Sequence, residues 1–144
     1  MERLPIAGPS ITQREIDYVA DAATHGWYER AGEYQRRFEE GFAAYLGVKH
    51  AVSLPSCTSG LHLALAALGI GPGDEVIVPA VAWSTSLFPV SQLGLVPLIV
   101  DVDPQNWCVS MEAVEASMGP RTRGVVAVHL LGQHAPTQAL SDKG

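Results

Sequence analysis

Apolar residues recur at helical spacing through the first third of the chain and gather into short unbroken runs after it. Ile11, Ile16, Val19, Ala20 and Ala23 predict a helix over residues 10–25. Thr12, with Glu15 three positions later, forms a candidate capping box, and Gly26 is the stop. Tyr34, Phe38, Phe42 and Tyr45 predict a second helix over 32–46, ended by Gly47. From residue 50 the pattern changes. Short runs at 50–54, 75–79, 96–102 and 124–130 predict four strands. The stretches 59–68, 84–93 and 110–118 predict helices between them. Gly71-Pro72-Gly73-Asp74 closes the first of these helices with a turn. Pro89 kinks the second or delays its start, and Ser110 is the candidate N-cap of the third. A further helix begins near Gln138.

Strands separated by helices argue for an α/β domain with a mainly parallel sheet, flanking helices and additional N-terminal helices. The expected division is a helical segment over 1–48 and an incomplete α/β domain over 49–144. A parallel sheet that stops just after its fourth strand leaves an apolar edge bare, so the sequence reads as cut.

Composition narrows the function classes. Hydrophobic residues make up 47% of the 144 and charged residues 17%, which suits a globular domain. The formal net charge of −6, with no basic block, argues against nucleic acid or an anionic membrane as partner. No apolar stretch approaches the ~20 residues of a membrane span. Residues 1–9 hold Glu2 and Arg3 and no apolar run of the signal-peptide kind, so the expected compartment is the cytoplasm. Cys57 and Cys108 make neither a disulfide framework nor a zinc pattern.

Three segments could carry chemistry. Pro55-Ser56-Cys57-Thr58-Ser59-Gly60 follows an expected strand and opens an expected helix. A helix N-terminus offers unpaired N–H groups and the positive end of the dipole, which suits a phosphate. Ser56 or Thr58 could equally serve as a plain N-cap. Neither a Walker loop nor a dinucleotide fingerprint is present. Trp83 lies just past the carboxyl end of the 75–79 strand, where open sheets bind ligands and an aromatic could stack on a flat ring; a core or interface tryptophan is the alternative. Asp101 and Asp103 could hold a cation, although Asp103-Pro104 reads more simply as a turn start. His129 falls inside the 124–130 strand and suits a hydrogen-bonded core residue. His25, His50, His62 and His134 show no metal spacing, and Arg121 and Arg123 read as solvent-facing.

Several stretches in order carry a resemblance. They are Phe38-Glu39, then 45–52 (Tyr-Leu-Gly-Val-Lys-His-Ala-Val), then 56–65 (Ser-Cys-Thr-Ser-Gly-Leu-His-Leu-Ala-Leu). Residues 68–79, Val100-Asp101-Val102-Asp103 and Val128-His129-Leu130-Leu131-Gly132 continue the series. Together, over about residues 5–140, they resemble the DegT/DnrJ/EryC1/StrS family of sugar aminotransferases. The resemblance implies part of a fold-type-I pyridoxal-phosphate transferase large domain. It also implies transfer of an amino group from glutamate or glutamine to a nucleotide-linked keto sugar, some relatives instead dehydrating the sugar. Family active sites form between subunits, so the implied partner is a second copy or a homologue. By position, the family's phosphate loop falls on residues 56–60, which implies cofactor contacts from Cys57, Thr58 and Ser59. The ring-stacking aromatic falls on Trp83. Cys57 replaces the family's glycine, Gly60 its alanine and Ala82 its threonine. The Gly26-Trp27 pair matches a segment near the substrate entrance, but Glu29-Arg30-Ala31 departs from the small residues usual there. The lysine that holds the cofactor covalently, and the aspartate that pairs with its ring nitrogen, match no position here. Lys49 and Lys143 are the two lysines, and neither falls on the catalytic position. No catalytic residue and no metal ligand is therefore assigned, and the chain alone is expected to be inactive. A non-catalytic phosphate- or cofactor-binding module is the alternative.

Overall fold

The Thr12 backbone N–H donates to the Glu15 carboxylate at 2.6 Å, and the Thr12 hydroxyl accepts from the Arg14 amide at 3.3 Å. This capping box starts helix α1, Gln13–His25, in the computed structural model, which describes residues 8–143. Gly26 ends the helix. A Cβ there would collide with the Ala22 carbonyl oxygen, so the position requires glycine. Helix α2, Glu33–Leu46, runs between Gly32 and Gly47, both with positive φ, a conformation glycine adopts without steric cost. Both helices agree with the sequence expectation to within a few residues.

Asp21 joins the two helices. Its carboxylate accepts from the Tyr34 hydroxyl at 2.5 Å and from Arg30 at 3.1 Å, and meets His25 Nδ1 at 2.9 Å. The Tyr34 hydroxyl above all, then His25, holds the Asp21 carboxyl down to about 2. Glu39 accepts both the backbone N–H and the hydroxyl of Ser53, at 2.8 and 2.7 Å. These residues belong to one compact unit ending at Ser53; a second begins at Leu54.

The second unit opens with α3, Cys57–Ala67. Strand β1 (Glu75–Pro79), helix α4 (Phe88–Gln92) and strand β2 (Val96–Val100) follow. Helix α5 (Met111–Ser117), strand β3 (Thr122–Val125) and helix α6 (Thr137–Ser141) complete it. The three strands form one parallel sheet in the order β2-β1-β3. All five residues of the central strand are buried, as a strand covered on both faces requires. Alternation divides its side chains. Val76 and Val78 pack with Leu65, Val90, Leu95 and Val126, whereas Ile77 packs with Val100, Val109 and Val114. Each such aliphatic side chain contributes about 1.5–3 kcal/mol on burial. Two ion pairs pin β3 at a register irregularity: Arg121 to Glu75 at 2.6 Å and Arg123 to Asp74 at 3.6 Å. The arginines are exposed, as expected, but each is paired.

Several expectations are corrected. Residues 50–54 form no strand. A strand exists through a neighbour's ladder, and here the Ser53 N–H is taken by the Glu39 carboxylate. The strand expected over 124–130 is β3, beginning at Thr122 and ending at Val125. The Val126 amide still donates to Ile77 at 2.8 Å, after which the chain turns away through a 3-10 turn at Leu130–Gly132. His129 consequently lies outside the sheet and is exposed rather than in a core. The sheet thus has three strands among the described residues, not four. Strand β2 ends at Val100, and Val102 forms an isolated antiparallel bridge with Val109. The 84–93 segment divides into a 3-10 turn, Ser84–Ser86, and the later α4, with Pro89 in its first turn, where a missing N–H costs nothing. Helix α3 begins two residues before the expected Ser59. No helix among the described residues is long and apolar enough to cross a membrane.

Candidate functional site

Ser56 sits in extended conformation before α3, and its hydroxyl accepts the Ser59 N–H at 3.2 Å. The Gly60 N–H goes to the Ser56 carbonyl at 3.1 Å. The N–H groups of Cys57 and Thr58 have no protein acceptor among the described residues. Two free donors thus stand at the positive end of an 11-residue helix. Ser56, Thr58 and Ser59 line one cleft of about 500 Å³, closed further along by His62, Leu63 and Gln92. His62 Nδ1 lies 3.3 Å from Gln92 Oε1, which ties α3 to α4. None of the lining residues carries a fixed charge.

This donor set suits a phosphate. Cys57 is exposed and does not line the cleft, so its side chain fills no space that a glycine would leave. A Cβ at Gly60 would touch only Leu54 Cδ1, at 3.8 Å, so neither glycine nor alanine there reshapes the loop.

Trp83 is 74% exposed, four residues past the carboxyl end of β1. It lines a smaller cleft of about 200 Å³ with Val78, Pro79, Ala82, Leu87 and Ile99. The structure thus brings Thr58 and Ser59 together and leaves Cys57 and Trp83 outside their cleft. Helix α3 does pack against the 84–86 turn that Trp83 precedes. Asp103 precedes a turn at residues 104–106: its carboxylate accepts from Gln105 at 2.8 Å and its carbonyl accepts from Trp107 at 2.7 Å. His129 Nδ1 accepts the Ala135 amide at 3.0 Å. Trp27 Nε1 donates to the Ala23 carbonyl at 2.8 Å, and Tyr28, with φ 52°, is almost fully exposed. A separate cleft of about 390 Å³ along β3 is walled by Val114, Met118, Val125 and Leu140. Its nearby Lys143 is held by Glu115 at 2.8 Å.

Sequence reading missed His62 and Gln92 as cleft residues. Spacing could have found the first, since His62 stands three and four positions after Ser59 and Thr58, on one helix face. Gln92 is thirty residues further on and leaves no local signal.

Residues 9–143 match the DegT/DnrJ/EryC1/StrS aminotransferase family. The chain is 41% identical over 133 residues to GDP-perosamine synthase of Caulobacter vibrioides, covering 92% of this chain and 36% of that protein. It is 38% identical to the UDP-4-amino-4-deoxy-L-arabinose–oxoglutarate aminotransferase of Shewanella sediminis, covering 99% and 37%. The solved structure of an E. coli GDP-4-keto-6-deoxy-D-mannose-3-dehydratase with bound hydrated PLP superposes with a TM-score of 0.88 at 29% identity, covering 99% and 38%. The chain therefore spans a little over a third of the length of the relatives it matches. With an α/β sheet of the fold-type-I kind and a family match along nearly all of its length, the chain belongs to the DegT/DnrJ/EryC1/StrS aminotransferase family.

Proposed function

We propose that this chain contributes the phosphate-holding and ring-stacking part of a pyridoxal-phosphate enzyme that aminates nucleotide-linked keto sugars. The observation that carries the reading is the N-terminus of α3, with free N–H groups at Cys57 and Thr58 beside the hydroxyls of Thr58 and Ser59. Thr58 and Ser59 would hold the cofactor phosphate, with the Cys57 amide as a further donor. Trp83 would stack on the cofactor ring. When bound, pyridoxal phosphate supplies the electron-accepting ring through which an amino group passes between donor and sugar. The amino donor would be glutamate or glutamine, in keeping with the oxoglutarate-linked relative. In this reading the cofactor-binding portion is residues 49–144, with 1–48 as a helical lead-in.

The chain alone would not turn over. Lys143 is engaged by Glu115, and neither lysine lines the phosphate cleft. The covalent lysine and the acid facing the ring nitrogen would come from outside residues 1–144, and a second copy or a homologous chain would complete the site. Sugar dehydration is the second reading, supported by the likeness to the dehydratase.

The test is titration of the purified chain with pyridoxal phosphate, followed by borohydride reduction and peptide mass mapping. Quenching of tryptophan emission without stoichiometric modification of any one lysine is expected. A stoichiometric adduct at Lys49 or Lys143 would overturn the claim of inactivity. Absence of any binding, with the fold intact, would overturn the cofactor assignment.

A further inference from the structure

We propose that His62, held by Gln92, is the cationic wall of the phosphate cleft, so that anion binding there depends on protonation of its imidazole. The inference rests on the reading of that cleft as a phosphate site and adds a residue to it. A phosphate ester carries about −1.5 to −2 at neutral pH. The end of a helix offers roughly half a positive charge. The chain as a whole is at −6, and no lining residue carries a fixed charge. His62 is the ionisable side chain in the lining.

Its placement suits the role. His62 follows Thr58 by four residues and Ser59 by three, and helical side chains lean toward the N-terminus of their helix. The Gln92 Oε1 atom can only accept, so His62 Nδ1 donates in their 3.3 Å contact. That bond is made by one neutral tautomer and equally by the imidazolium. Protonation therefore adds a charge and an Nε2 donor without breaking a contact. His129 is the opposite case: its Nδ1 accepts the Ala135 amide, and protonation would remove that bond. Helix α3 packs on α4 and the 84–86 turn, neither of which contains a titratable residue, and through Leu65 on β1, whose one ionisable residue, Glu75, is paired with Arg121. Cys57 is the neighbouring ionisable group and lies outside the cleft.

Sulfate is the probe of choice, because it remains a dianion across the histidine range whereas phosphate changes charge within it. Amide chemical shifts of the full chain are followed during sulfate titration at pH 5.5 and 8.0, for wild type, His62→Gln and Gln92→Leu. Wild type should show shifts at the Cys57–Ser59 amides and bind about five- to tenfold tighter at pH 5.5. His62→Gln should bind equally at both pH values, with the weaker affinity. In Gln92→Leu the pH effect should shrink. In wild type, the His62 ring signals should titrate at higher pH when sulfate is present, a linkage that a purely structural histidine would not show. Binding at the Cys57–Ser59 amides with no pH dependence, or with the same dependence in His62→Gln, would overturn this inference while leaving the phosphate site standing. No shift at those amides would overturn both.

Discussion

Replacing Ser56 by aspartate separates helix capping from the anion binding proposed for the start of α3. Its hydroxyl caps the helix through the Ser59 N–H at 3.2 Å, while the neighbouring Cys57 and Thr58 N–H groups stay free for an anion. Serine and aspartate are about equal as N-caps, and alanine costs about 1 kcal/mol. Ser56→Ala should therefore lower the melting temperature by about 3 °C for a chain of this size, and Ser56→Asp should leave it within about 1–2 °C. Anion binding should follow the reverse order. A carboxylate some 4 Å from a bound dianion in a water-filled cleft adds about 2 kcal/mol of repulsion, roughly a thirtyfold loss of affinity. Ser56→Ala removes no charge and should weaken binding by about threefold or less. Thermal melts by circular dichroism, with sulfate and pyridoxal phosphate titrations on the same samples, give both readouts. If Ser56→Asp folds normally and binds either ligand as tightly as wild type, the anion does not sit at the N-terminus of α3 and the site assignment fails.

Trp83 is 74% exposed, so Trp83→Leu should change stability by less than about 0.5 kcal/mol while weakening pyridoxal phosphate binding and most of its tryptophan quenching; a loss of stability instead would mark it as a packing residue. Arg121→Ala leaves the nearly buried Glu75 carboxylate with only the Thr122 hydroxyl at 3.4 Å. Because Arg121 itself is 68% exposed, the cost should fall between surface and buried pairs, about 1–2 kcal/mol by urea unfolding, and a double-mutant cycle with Glu75→Gln should show coupling. Gly26→Ala forces a Cβ onto the Ala22 carbonyl and should fray the end of α1, read as faster amide exchange from Ala22 to Trp27. Asp21 titrates at about 2 in the fold, below its ordinary 3.8, so its contribution is complete above about pH 4–5 and is lost as the pH falls through 4 toward 2. Asp21→Asn should flatten that part of the acid-unfolding curve, and an unchanged curve would refute the role of its Tyr34 and His25 bonds.

What could be read from the sequence divides by the range of the interaction. The capping box of Thr12 and Glu15, the stop at Gly47 and the Ser110 cap each involve residues within one turn, and each is present. The apolar run Val76-Ile77-Val78 inside 75–79 identifies itself because a strand buried on both faces needs no alternating polar positions. Residues 50–54 also carry apolar positions, at Ala51, Val52 and Leu54, yet form no strand, since pairing depends on a neighbour that no local pattern supplies, and Glu39 claims the Ser53 N–H instead. The same division runs through the site. Thr58 and Ser59 were legible as residues at the start of α3, because a helix N-terminus is written in adjacent residues. The pairing of His62 with Gln92 was not, because it joins two helices across thirty residues. Local sequence thus specifies where a phosphate could rest, whereas the charge that would balance it is set by tertiary packing. If protonated His62 does supply that charge, the affinity of the cleft depends on a contact between α3 and α4 that residues 56–60 do not contain. A relative with the same phosphate loop but without a partner at the Gln92 position should then hold its anion with a weaker dependence on pH.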